Sequence, residues 1–279
     1  MRTPPRRRTF WRILSFGFIS AMIGFGVTIL TRQPSNHRPW IADHARAPEI
    51  VLSDSLVRIA NLRNFQLVGS DSSIPAYETR TYDLSRLDSA WFVLAPFSKA
   101  WRGPAHGFVS FGFDDSTYVT ISVEARREVG EEYGVLAGLG RNFELIYVIG
   151  DERDVIGRRA AFGDVDVYLY PIRTTPERAR AVFVDMLRRA DGLSTRPEFY
   201  HTVRNNCMSN LVASVNRVVP DRIQGGLRLL LPGYADEIAR SLGLLEEGVT
   251  IEEIRSRYRI NDAAARYLDS ADFSRRIRS

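Results

Sequence analysis

The sequence predicts an α+β domain, and three observations carry that reading. Residues 106–124 read as a β-hairpin, and two more β-rich runs follow at 143–149 and 165–171. Two amphipathic helices then come in succession, one opening at Thr175 and one after Asn206. Strands in one run and helices in the next segregate the two kinds of structure, unlike the alternation that builds a parallel sheet. Hydrophobic residues make up 44% and charged residues 25% of the 279, the balance of a folded chain rather than a disordered one.

The N-terminal element is different in kind. Residues 13–30 carry no charge, and with Phe10 and Trp11 the apolar stretch runs over 10–30. Eighteen residues span about 27 Å as a helix, close to a hydrocarbon core of about 30 Å. Five arginines precede the run, and the positive-inside rule then places residues 1–9 in the cytoplasm and the rest outside. The reading is an uncleaved transmembrane anchor in a bacterial inner membrane, with the main domain periplasmic. A cleaved signal is the alternative, and Arg7-Arg8 resembles a twin-arginine motif, but no small-x-small site follows the run closely. The net charge of +5 is a by-product of this segment. Seven of the 38 basic residues and no acidic residue lie in 1–42, so the remainder holds 31 basic against 33 acidic residues. A nucleic-acid-binding domain is excluded on that distribution.

Residues 31–48 carry three prolines and read as a linker or as chain laid along the domain. The main domain is expected over 49–219. Residues 49–68 supply a strand or two, and 91–97 one more. In the hairpin, His106–Phe113 alternates, Asp114-Asp115-Ser116 is a turn cluster, and Thr117–Glu124 is β-branched and aromatic. If those three residues form the loop, every opposed pair sums to 230, which puts His106 opposite Glu124 on one sheet face. The charge run Asp151-Glu152-Arg153-Asp154 reads as a solvated turn.

Thr175-Pro176 opens a helix with a cap and a proline at its first position, and Asp191-Gly192 is expected to end it. In the next helix Cys207, Leu211, Val215 and Val218 share one face, and Pro220 stops it. Short helices at 233–245, 250–258 and 261–270 make up a helical appendage over 220–279.

Cys207 is the only cysteine, which excludes an intramolecular disulfide and a cysteine-rich zinc site; no metal or cofactor is expected. It falls in the first turn of a helix, where the dipole and free N–H groups lower a thiol pKa. Asn205 and Asn206 precede it and can cap that helix or donate to an oxyanion. A thiol nucleophile needs a base and the base an orienting group. His106 with Glu124 fits, and His201 is the rival base.

Several motifs in order resemble one known family. They are HGFVSF at 106–111, ISVEAR at 121–126, Tyr147-Val148-Ile149 leading into Asp151-Glu152-Arg153-Asp154, DVYLYP at 166–171, and Pro197–Tyr200 leading into Asn205-Asn206-Cys207. The chain resembles the Lnb N-terminal periplasmic domain family over roughly residues 40–270. The resemblance implies a circularly permuted papain-like (NlpC-like) fold, with an antiparallel sheet in which the histidine strand precedes the cysteine helix. It implies Cys207 as nucleophile and His106 as base. The family is related to a lipoprotein N-acyltransferase that moves a fatty acyl chain from phospholipid to a lipoprotein amine. The expected function is a membrane-anchored cysteine acyltransferase or hydrolase working through a thioester, with membrane lipid and a lipoprotein as partners. A peptidoglycan amidase or peptidase and a non-catalytic envelope scaffold stay open beside it.

Overall fold

Strands whose side chains are apolar on both parities need cover on both faces, and the structure supplies it. A computed structural model describes residues 31–69, 72–114, 116–224 and 231–279, with scattered positions over 11–26. Among the described residues there are ten strands: β1 (Glu49–Ser53), β2 (Leu56–Arg63), β3 (Gln66–Leu67), β4 (Ser73–Ile74), β5 (Tyr77–Asp83), β6 (Leu87–Pro96), β7 (Ala105–Phe113), β8 (Tyr118–Arg126), β9 (Glu144–Gly150) and β10 (Tyr168–Pro171). The main sheet runs β1-β2-β9-β8-β7-β6-β10, with β5 also paired to β2; β3 and β4 form a separate ribbon. Neighbours are antiparallel except at one parallel pair, Arg63↔Gly150, so the sheet is mixed. Every residue of β7 and β9 is buried.

Helices cover both faces. On one lie α2 (Pro176–Thr195), α3 (Cys207–Val218), α4 (Ala235–Ser241) and α5 (Ile251–Tyr258), whose Phe183, Leu187, Leu211 and Ile254 join Val109, Phe111 and Val123 of the sheet. On the other lie α1 (Arg158–Phe162), α6 (Asn261–Tyr267) and α7 (Phe273–Arg276), packed on Phe108, Ile146 and Val148. The segment 220–279 therefore contributes to both cores. Helix α2 opens as expected, with Thr175 Oγ1 accepting from the Arg178 N–H. It runs past Gly192 to Thr195 because Leu193 is turned into the core.

The hairpin register matches the sequence expectation: Val109↔Ile121, Ser110↔Thr120, Phe111↔Val119 and Gly112↔Tyr118 all sum to 230. The ladder stops at Val109↔Ile121, however. Beyond it β7 stays with β6 through Ala95↔His106, and β8 stays with β9 through Glu124↔Ile146. The two strands part toward His106 and Glu124, and the start of α3 packs against both.

One expectation is corrected. The run Asp151–Asp154 is not a solvated turn. It begins a π-helical turn, Arg153–Gly157, and Glu152 and Asp154 have no exposure. Each acquires partners from far along the chain. Arg63 grips Asp154 with two bonds of 2.7 and 3.1 Å, and the Phe65 N–H adds a third at 3.0 Å. Arg278 grips Glu152 at 2.6 and 2.8 Å, Ser110 also donates to it, and the guanidinium lies 3.7 Å from the Tyr118 ring centroid.

Residues 31–48 are laid along the domain. Arg38 reaches Glu128 at 3.1 Å and Glu144 at 2.9 Å, and Arg126 stacks 4.2 Å over Trp40. The expected anchor at 10–30 lies largely outside the described residues. Among those described, no helix is long and apolar enough to cross a membrane.

Candidate active site

The parting of β7 from β8 opens the space in which three predicted residues meet. Asn206 caps α3: its Oδ1 accepts from the Ser209 N–H at 2.9 Å while the Ser209 hydroxyl accepts from the Asn206 N–H at 2.8 Å. This capping box sets Cys207 at the first position of the helix, 6% exposed. Its thiol is hydrogen-bonded to the His106 imidazole and to the Gly107 N–H. On the far side of the ring, His106 Nε2 lies 2.6 Å from Ser122 Oγ and 3.1 Å from Glu124 Oε1. With Nε2 so engaged, Nδ1 is the nitrogen left to face the thiol. Ser122 donates to Glu124 at 2.7 Å, and Arg159 holds the same carboxylate oxygen at 2.8 Å.

The electrostatics follow from that arrangement. Burial pushes the His106 pKa down, but the Glu124 carboxylate and the bonded thiol overcome it and raise it to about 9. Burial pushes the Cys207 thiol up, and the hydrogen bond and charge of His106 with the Gly107 N–H bring it below its ordinary value. Burial would raise Glu124 too, yet His106 and Arg159 hold it well below the usual carboxylate range. The three shifts run in the directions of thiolate, imidazolium and carboxylate.

Cys207 and His106 line a cleft of about 520 Å³, walled by aromatic side chains including Phe97, Trp101, Tyr133 and Tyr200 and by Leu231-Pro232. The Tyr133 and Tyr200 hydroxyls sit 3.2 Å apart. A separate apolar crevice of about 160 Å³ lies between α2, α3 and α4 and includes Met208 but none of the site's charged groups. Among the described residues, no cluster of three or more His, Cys, Asp or Glu side chains is arranged to hold a metal ion.

Two predicted residues take other places. Asn205 faces away from the cleft, donating to Glu198 at 3.1 Å and to the Phe199 carbonyl at 2.9 Å, and accepting from Asn210 at 2.8 Å. Asn206 is on the cleft wall, but its amide is committed to the cap and to the Thr202 carbonyl. The free donors at the thiol are instead backbone groups: the Cys207 and Met208 N–H have no acceptor among the described residues. His201 does not reach the thiol. Its Nδ1 accepts from the Val203 and Arg204 N–H groups in the turn before α3.

The sequence reading passed over Ser122, Arg159 and His44. Ser122 shares parity with Glu124, and that spacing was its one available signal. Arg159 arrives from a helix 35 residues on and had none. His44 is 5% exposed and lines the cleft, with Nδ1 accepting from the Arg127 N–H at 3.2 Å. Burial lowers its pKa to about 4, so the ring is neutral, with its proton on Nε2.

Compared with protein-family models, residues 73–233 match the one described as the Lnb N-terminal periplasmic domain. No curated protein and no solved structure matches the chain.

Proposed function

The chain belongs to the Lnb N-terminal periplasmic domain family, and from that premise we propose that it is a membrane-anchored cysteine enzyme that transfers or hydrolyses acyl groups through a thioester. The observation that carries this reading is the hydrogen-bonded series Cys207–His106–Glu124 at the floor of one cleft. The order of a histidine strand followed by a cysteine helix supports a permuted papain-like arrangement of the site.

The chemistry follows from the geometry. The Cys207 thiolate attacks the carbonyl carbon of an ester or amide, and the carbonyl electron pair moves onto oxygen. The N–H groups of Cys207 and Met208, at the positive end of α3, are the donors available to that oxyanion. Collapse of the intermediate expels an alcohol or amine, which takes its proton from the His106 imidazolium and leaves a thioester on Cys207. An amine or water then attacks the thioester, His106 takes the proton, and the thiolate departs. Glu124 steadies the imidazolium throughout, as the third member of a triad does. Residues 10–30 anchor the domain to the membrane and raise the local concentration of lipid-borne substrates.

The test uses the full chain in membranes. Intact mass spectrometry after incubation with labelled phospholipid should show an acyl adduct that Cys207→Ser abolishes as a thioester. Turnover unchanged in Cys207→Ser would sink the reading. Muropeptides form the parallel arm, and cleavage of these without a lipid adduct would select an NlpC-type amidase or peptidase. Reaction with neither substrate would leave an envelope scaffold.

A further inference from the structure

Two donors on the wall of the Cys207 cleft have no acceptor among the described residues. One is the His44 ring, which is 5% exposed and lines the cleft. Its Nδ1 accepts from the Arg127 N–H at 3.2 Å, which leaves the proton on Nε2. That Nε2–H has no partner in the chain, yet it is open to the cleft and not one of the unpaired atoms sealed in the core. The other is the Arg127 guanidinium, half-buried on the same wall, which makes neither a hydrogen bond nor an ion pair among the described residues. Buried polar groups ordinarily find partners, so unfilled donors on a site wall mark a place for a ligand.

The surrounding charges and bonds say what kind of ligand fits. Among the described residues lining the cleft, Glu124 is the one carboxylate, against the guanidiniums of Arg127 and Arg159. Glu124 is already shared by His106, Ser122 and Arg159. The acidic neighbours in sequence are taken as well: Arg32 and Arg38 hold Glu128, each at 3.1 Å, and Arg158 holds Asp43 at 2.7 Å. The two donors are also built together. The turn Ala42–His44 is bonded to Arg127 from both sides, since the Ile41 N–H donates to the Arg127 carbonyl at 3.1 Å and the Arg127 N–H donates to the His44 ring. Arg126 Nε adds a bond of 3.0 Å to the His44 carbonyl, so the ring is held against the strand end. Arg127 follows β8, three residues or about 10 Å beyond Glu124 along the strand, and Glu124 is the carboxylate that meets the His106 base. A group held there stands several bonds away from a carbonyl attacked by Cys207.

We propose that the His44 Nε2–H and the Arg127 guanidinium form an oxyanion subsite in the Cys207 cleft, which seats a phosphodiester or carboxylate carried by the acyl substrate at a distance from its scissile carbonyl. A guanidinium fork supplies the charge and a neutral, fixed N–H adds a donor, with no acceptor of the chain competing for either. The subsite rests on the proposed function for the identity of its ligand as a substrate, but not for the binding itself. Two kinds of acyl compound carry such a group. A glycerophospholipid has its phosphodiester on the glycerol that bears its esters, and a peptide substrate has a carboxylate.

Nuclear magnetic resonance on the full chain in an uncharged detergent, with isotope-labelled histidine, tests it without requiring turnover. The chain has four histidines, and His44→Gln identifies the His44 signal. Dimethyl phosphate and acetate are the probes, trimethyl phosphate is the uncharged control, and chloride controls for ionic strength. At least one of the two anions should shift the His44 Nε2–H signal saturably. Arg127→Gln should weaken that binding by about tenfold or more, with Arg127→Lys between the two, and a thermal melt on each variant checks the fold. Tighter binding of dimethyl phosphate supports the subsite and assigns it to a lipid phosphodiester; tighter binding of acetate supports it and assigns it to a peptide carboxylate. An equal response to trimethyl phosphate or chloride, a response unaltered in Arg127→Gln, or a shift of the His106 signal with His44 unmoved overturns the subsite. Saturable binding at His44 in a chain that forms no thioester keeps the subsite and overturns the acyl-transfer reading. Thioester formation with no response at His44 does the reverse.

Discussion

Replacing Glu124 by glutamine keeps the shape of the side chain and removes its charge, which isolates its hold on His106. The His106 pKa stands at about 9 against an ordinary 6.5, a net preference for imidazolium of about 3 kcal/mol. The size is reasonable on geometry. Opposite charges 3.1 Å apart attract by about 5 kcal/mol at an effective dielectric near 20, and burial of the ring takes part of that back. In Glu124→Gln most of the preference disappears, and the Cys207 thiolate loses its counter-ion with it. Alkylation of Cys207 by iodoacetamide, followed by intact mass across a pH series, reads this directly. At pH 8, between the ordinary 6.5 and about 9, the rate should fall by about 30-fold with the imidazolium fraction, while at pH 10 variant and parent should react alike. A thermal melt on the same sample checks that the fold survives. Superimposable labelling profiles would refute the ion-pair account of the site.

Glu124 also leaves a signature in stability. Its pKa is held below 4.5 in the fold, so its contribution is present above pH 4.5 and lost as acid protonates the folded form. The melting temperature of the parent should therefore fall more steeply than that of Glu124→Gln between about pH 5 and 3; equal slopes would contradict this. Asp154→Ala leaves Arg63 buried without its partner and should cost about 3–5 kcal/mol in denaturant unfolding, with Asp154→Asn costing less; a loss below about 1 kcal/mol would remove the pair from the account. Gly233→Ala drives a Cβ into the Arg102 carbonyl, a backbone atom that cannot turn aside. It should cost about 1–3 kcal/mol and displace the Leu231-Pro232 wall of the cleft; an unchanged melt with unchanged thioester formation would show that wall to be free of Gly233.

The hairpin and the thiol helix were legible because local rules determine them. Alternation and a three-residue turn fix a register, and a register fixes which residues oppose, so the meeting of His106 with Glu124 followed. The cap at Asn206 placed Cys207 in a first turn for the same reason. What the sequence concealed was long-range compensation. Asp151–Asp154 looks solvated because four charges in a row ordinarily are. The burial of Asp154 and Glu152 depends on Arg63 and Arg278, which lie 91 and 126 residues away from them. Asn205 misled in the opposite sense: its composition suits an oxyanion donor, but Glu198 and Asn210 claim its amide. The early end of the β7–β8 ladder was invisible too, since the apolar pattern continues through it and only the insertion of α3 separates the strands.

The grip of Arg278 on Glu152 bears on the timing of assembly. Glu152 is fully buried, and its other partner, Ser110, sits on the same strand as His106. A chain delivered only as far as Cys207 already contains the thiol, the base and the orienting carboxylate. It also contains a carboxylate whose counter-charge has not yet arrived, and burying such a group alone is strongly unfavourable. Closing a contact across 126 residues is moreover among the slower steps of folding. The strand that carries His106 thus packs over a paired carboxylate only when Arg278 has reached the sheet. Shortening the chain before Arg278 should therefore leave Glu152 buried and unpaired beneath the strand that bears His106.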